Sequence, residues 1–103
     1  MPIFNRETLH KILKEIVGND NVYFQPPESA KLKYPCIVYS RDDILNEYGN
    51  NTVYNQYCAF LITVIDHDPD SEIVYKVSQL PMCNFDRHFT SDGLNHDTFT
   101  LYI

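Results

Sequence analysis

Val53-Tyr54-Asn55-Gln56-Tyr57-Cys58-Ala59-Phe60-Leu61-Ile62-Thr63-Val64-Ile65-Asp66 carries the longest strand signal in the chain and decides how the rest is read. Tyr54, Cys58, Phe60, Ile62 and Val64 alternate with Val53, Tyr57, Ala59, Leu61 and Ile65. Side chains alternate faces along a strand, so two apolar sets mean two apolar faces. Such a strand belongs in the middle of a sheet, covered on both sides. Something besides the domain's own helices is expected to cover one of them.

Downstream, Asp66-His67-Asp68-Pro69-Asp70-Ser71 reads as a helix start. Asp68 suits the cap, Pro69 the first turn and Asp70 the helix dipole. Ile73, Val74, Val77 and Leu80 then line one face, and Pro81 ends the helix. Two strands follow, at about 83–90 and 97–103, joined by Ser91-Asp92-Gly93-Leu94-Asn95. Asp-Gly is a strong hairpin-turn signal.

Upstream, residues 42–52 are polar and contain Gly49-Asn50-Asn51, which predicts a loop or long hairpin turn. Lacking a sustained apolar period, the segment is expected to be mobile in an isolated subunit and to order on assembly. Before it, Cys36-Ile37-Val38-Tyr39 reads as a strand that meets charge at Arg41-Asp42-Asp43. Residues 26–35 form a loop in which Pro35 holds Tyr34 extended. Val22-Tyr23-Phe24 is a short strand stopped by Pro26-Pro27. Leu9, Ile12, Leu13, Ile16 and Val17 make the stripe of an amphipathic helix over about 5–17. Asn5 is its expected N-cap, Phe4 and Leu9 stand at staple spacing, and Gly18 suits a left-handed end. The order α-β-β-β-α-β-β predicts one α+β domain over 1–103, a mostly antiparallel (mixed) sheet with two flanking helices.

At 103 residues there is little room for a second domain. A hydrophobic fraction of 44% is too high for a disordered chain, yet no apolar run approaches the ~18–20 residues of a membrane span. Met1-Pro2-Ile3-Phe4-Asn5 lacks the basic and apolar regions of a secretory signal, so a cytosolic protein is expected. Cys36, Cys58 and Cys83 are odd in number and widely spaced, which predicts buried, reduced thiols. Net charge is −6, unevenly spread: residues 1–41 carry +2, and residues 42–103 carry −8, with only Lys76 and Arg87 against ten acids. Tight binding to phosphates comes from Lys and Arg displacing counterions, so an acidic chain without a basic stripe is poorly suited to gripping nucleic acid.

Candidate chemistry is sparse. Asp66-His67-Asp68 puts possible metal ligands in a row, but neighbouring residues point in different directions. His88 and His96 flank the last hairpin, where they could approach each other. A cap at His67–Asp68 and hydrogen bonding by His96 account for the same residues without a metal. No Gly-x-Ser-x-Gly elbow occurs, and Gly18, Gly49 and Gly93 cannot build a phosphate-cradling loop. Asp42-Asp43 are neighbours in sequence, whereas paired catalytic carboxylates need spatial placement. No enzyme activity, cofactor or metal is expected.

Several stretches carry a resemblance when taken in order. They are Tyr34-Pro35-Cys36-Ile37-Val38-Tyr39, then Thr63-Val64-Ile65-Asp66, then Asp68-Pro69-Asp70-Ser71, then Asn84-Phe85-Asp86-Arg87 and finally Asp92-Gly93-Leu94-Asn95-His96-Asp97. Over roughly residues 5–103 the chain resembles the tail terminator, or tail-completion, proteins of long-tailed bacteriophages and prophages. The resemblance implies a sheet flanked by two helices and a structural, non-enzymatic role. Six copies would form a ring that caps the tail tube, ends its polymerisation and offers the head a docking surface. Implied partners are further copies of the chain, the tail tube protein and the head-connector or neck protein, with DNA only passing through the lumen and no membrane. The implied location is the head-proximal end of the virion tail, after assembly in the host cytoplasm. Asp42, Asp43, Glu47, Tyr48, Asn50 and Asn51 are the candidates for a subunit junction or lumen. Two other readings are a head-completion (neck) protein and a small cytosolic protein-binding module.

Overall fold

A computed structural model describes residues 5–103, apart from the Tyr54 side chain; the staple expected of Phe4 falls outside the described residues. The elements run α1 (Arg6–Val17), β1 (Val22–Phe24), β2 (Cys36–Gly49), β3 (Thr52–Asp66), α2 (Glu72–Ser78), β4 (Cys83–Ser91) and β5 (Leu94–Tyr102). This is the expected α+β order. The five strands form one mixed sheet in the order β1-β2-β3-β5-β4, with β3 at its centre. Among the described strands only the β1–β2 pair is parallel.

Local chemistry sets several boundaries as read from sequence. The Asn5 side chain accepts from the Thr8 amide at 2.9 Å, satisfying an orphan donor of the first turn of α1. Gly18, at φ 78°, closes the other end, and its amide donates to the Lys14 carbonyl. Asp92 (φ 53°) and Gly93 (φ 73°) make a two-residue turn of the left-handed kind, so β5 begins at Leu94, three residues earlier than the sequence suggested.

α2 starts later than predicted. Asp66 and Asp68 do not cap it: their side chains accept from the amides of Asp68 and Asp70 in two successive local turns. Short acidic side chains favour such turns over helix, so the helical residues begin only at Glu72.

The main core lies between the helices and one face of the sheet. Leu9, Leu13 and Val17 of α1 and Val77 of α2 pack on Ile37, Tyr39, Phe60, Ile62, Val64, Phe99 and Leu101. The opposite face has a smaller cluster of Cys36, Ile65 and Leu94, roofed by Leu32 and Tyr23. The segment joining β1 to β2 thus supplies cover, over one end of that face, that the two-faced strand required. Its Tyr34–Pro35 peptide is cis.

The largest correction concerns residues 42–52. They are not a loop: β2 continues unbroken to Gly49 and pairs with β3 from Gly49↔Thr52 back to Cys36↔Ile65. The β5 side ends one pair beyond Ala59↔Tyr102, where Cys58 and Ile103 exchange backbone hydrogen bonds at 2.9 Å. Beyond that point β2 and β3 run on as a two-stranded ribbon, and the molecule measures 51 × 29 × 23 Å.

Candidate functional site

The ribbon and the cleft at its base form the candidate site. At the far end, Asn50 and Asn51 hold φ values of 52° and 63°. Asn tolerates that region better than most residues, and two such residues in succession give the turn whose twist matches a hairpin. Thr52 Oγ1 donates to the Gly49 carbonyl at 2.8 Å and locks the turn. Two cross-strand contacts brace the ribbon: Gln56 donates to Asn46 at 3.0 Å, and Asn55 to Glu47 at 3.2 Å. Register shifts interrupt it between Arg41 and Asp43 and between Glu47 and Tyr48. Such bulges increase twist, which blunts an exposed edge against indiscriminate pairing.

The predicted interface residues all lie on this ribbon. Asp42 is the extra residue of the first bulge, and Asp43 folds back to accept from the Ile44 amide at 2.8 Å. Glu47 is held by Asn55, Asn50 and Asn51 are the turn, and Tyr48 is 68% exposed. The ribbon also carries exposed apolar residues beyond those candidates. Ile44, Leu45 and Val53 are also exposed, at 45, 42 and 52%. The signal was the Ile44-Leu45 pair inside an otherwise polar run.

On the helix side of the ribbon base, a cleft of 570 Å³ opens between α1, the end of β1 and strands β2 and β3. Phe24 and Phe60 form its apolar floor, with Cys58 and Ile103 beside them. Arg6 and Arg41 stand at it, and the Arg6 guanidinium lies 4.4 Å from the Phe24 ring centroid. Cys58 is therefore half-buried on a cleft wall and not fully enclosed as expected. Cys83 is likewise half-buried, and of the three only Cys36 is fully buried as expected; burial pushes the Cys36 and Cys83 thiols up to about 11, with Asp66 adding to the effect at Cys36. Behind the cleft, His10 Nδ1 and the Tyr39 hydroxyl meet at 2.6 Å. Burial, with Lys14 and Arg6 nearby, holds His10 below its ordinary value, and burial raises Tyr39. The imidazole and the phenol hydroxyl share this one hydrogen bond.

The histidines singled out from sequence are not brought together. His88 faces the helix side and meets Asp97 at 2.8 Å. His96 lies on the opposite face, stacked on Phe89 with ring centroids 4.7 Å apart. His67 sits edge-on to Tyr34. Among the described residues no three His, Cys, Asp or Glu side chains gather as a metal site requires. Asp97, Ser71, Tyr75 and Phe85 line a second cleft of 320 Å³ beneath α2, which sequence spacing did not signal. Among the described helices, none is long and apolar enough to cross a membrane.

The fold and site define a small α+β protein with one projecting ribbon. No protein-family model matches the chain, and no curated protein is similar to it in sequence.

Proposed function

We propose that the protein is a structural assembly component that joins copies of itself into a ring, and that the ring caps the tail tube of a long-tailed phage. It would end tube growth and present the surface on which the head docks. The observation that carries the self-assembly part is the ribbon. Tyr48, Val53, Ile44 and Leu45 are exposed on an element that, among the described residues, no third layer covers. Isolated two-stranded hairpins are marginal in water, so a long one rich in exposed apolar side chains gains stability from a partner. The tail assignment rests on the family resemblance of the ordered segments between Tyr34 and Asp97. The −8 balance of residues 42–103 suits a channel through which a polyanion slides without being held.

Mixing the protein with assembled tail tubes and imaging the tube ends tests the reading. Rings at one end with growth arrested are the expected result. Unchanged growth with a persistently monomeric protein refutes it and favours the neck-protein or protein-binding-module reading. A salt-sensitive, submicromolar affinity for duplex DNA would separately remove the acidic-channel argument.

A further inference from the structure

We infer that the Arg6–Arg41 cleft is the seat for the ribbon tip of a second copy of this chain. The inference rests on the self-assembly reading and names the contact that would build it.

Charge is the first argument. Arg6 and Arg41 stand at the cleft, and the adjoining groove along α1 adds Lys11, Lys14 and His10, with Glu7 the single acid. Lys14 is partly engaged by Asp20 at 3.8 Å. The ribbon tip is the opposite: Glu47, held by Asn55, is its acid, and no Lys or Arg occurs between Arg41 and Lys76. Guanidinium pairs with carboxylate in a fixed, often bidentate geometry, which gives such a contact orientation as well as attraction.

Shape is the second. The floor is aromatic, from Phe24 and Phe60, and the tip offers a 68% exposed Tyr48 with Val53 beside it in the ladder. A tyrosine ring against two phenyl rings buries apolar area while its hydroxyl stays at the polar mouth.

Reach is the third, and it requires a second copy. Cys58, on the cleft wall, pairs with Ile44 in the ribbon, and Gly49 lies five residues further out. At about 3.3 Å per residue the tip stands on the order of 15 Å beyond its own cleft. Reaching back would break the ladder, so a tip finds a seat only on a neighbour. Tip and seat are different surfaces, and a head-to-tail contact of that kind closes a ring when its rotation allows.

The native Cys58 makes the contact testable. A full-length Tyr48→Cys variant, mixed as isotopically light and heavy copies at the highest attainable concentration, is oxidised mildly and digested. Cys36 and Cys83 are poor competitors, because their raised pKa values keep them protonated near pH 8. The expected product is a 48–58 disulfide joining a light to a heavy chain, absent when Cys58→Ala is added. Arg41→Glu lowers its yield by about tenfold, and Glu47→Lys in the same chain recovers it. Absence of the link at that concentration overturns the seat, as does a yield indifferent to both charge reversals. A 48–58 link without arrest of tube growth keeps the seat and removes the tail role. Arrest of tube growth without the link removes the seat and keeps the tail role.

Discussion

The β2–β3 hairpin behaves as two structures joined end to end. In its inner half, Ile37, Tyr39, Ile62 and Val64 are 0 to 1% exposed beneath α1 and α2. In its outer half, Ile44, Leu45, Tyr48 and Val53 are 42 to 68% exposed. The backbone ladder is continuous through both halves, interrupted only by two bulges. Apolar side chains of similar size therefore have different consequences. Full burial of one such side chain contributes roughly 1.5–3 kcal/mol, and the outer ones leave most of that unrealised within a single subunit. Hydrogen-bond pairing fixes where a strand runs; a third layer decides whether it is stable there.

The difference between the halves should be largest in amide exchange of the isolated subunit. Ribbon amides around 44–48 and 53–57 are expected to exchange by local opening, orders of magnitude faster than those at 37–39 and 62–64, which wait for global unfolding. Equal protection in both halves would mean that the ribbon already has a covering partner.

Truncation gives the next contrast. Ile62→Ala is expected to lower unfolding stability in urea by about 3–4 kcal/mol, from lost burial plus a cavity. Tyr48→Ala in the isolated subunit is expected to change it by about 0.5 kcal/mol or less, as for other surface positions. A large loss at Tyr48 in a monomer would break the comparison.

Asn5→Ala removes the side-chain acceptor at the start of α1 and is expected to cost about 1 kcal/mol. Because α1 packs on the inner half, shifts at the ribbon tip, around 48–53, should stay unchanged in that variant.

A pH dependence sharpens the same boundary, since His10 seals the edge of the inner core against Tyr39. Its pKa is lowered on folding, so the unfolded chain binds the proton more readily. The His10 contribution is complete above about pH 6.5 and is lost as pH falls from there through the lower folded value. His10→Gln should flatten stability against pH in that window, measured by urea unfolding at closely spaced pH values. The smallest expected effect is at the tip, where Asn51→Gly should stabilise the turn by a few tenths of a kcal/mol, seen as slower ribbon exchange.

Sequence alone determined the elements whose signals are local. Strand β3 was legible because its long alternation of β-branched and aromatic residues fits a strand, although the cover expected on both faces fails over its outer part, where Val53 is exposed; α1 was legible because its stripe is bounded by Asn5 and Gly18. The β4–β5 hairpin was legible because Asp92-Gly93 supplies the backbone angles its turn needs. Tertiary structure alone decided the outer half of β2. Ile44, Leu45 and Tyr48 stand among acids and Asn46 without a sustained apolar period, so no strand pattern marks it, and its strand conformation comes from pairing with β3. It also decided the start of α2, where Asp66 and Asp68 act as turn acceptors, as their short side chains equally allow. The cleft was beyond any spacing rule. Arg6, Phe24, Arg41 and Phe60 come from four separate elements. Only packing α1 across β1, β2 and β3 brings two cations and two aromatic rings to one cleft, because proximity in a folded chain follows from which surfaces must leave water.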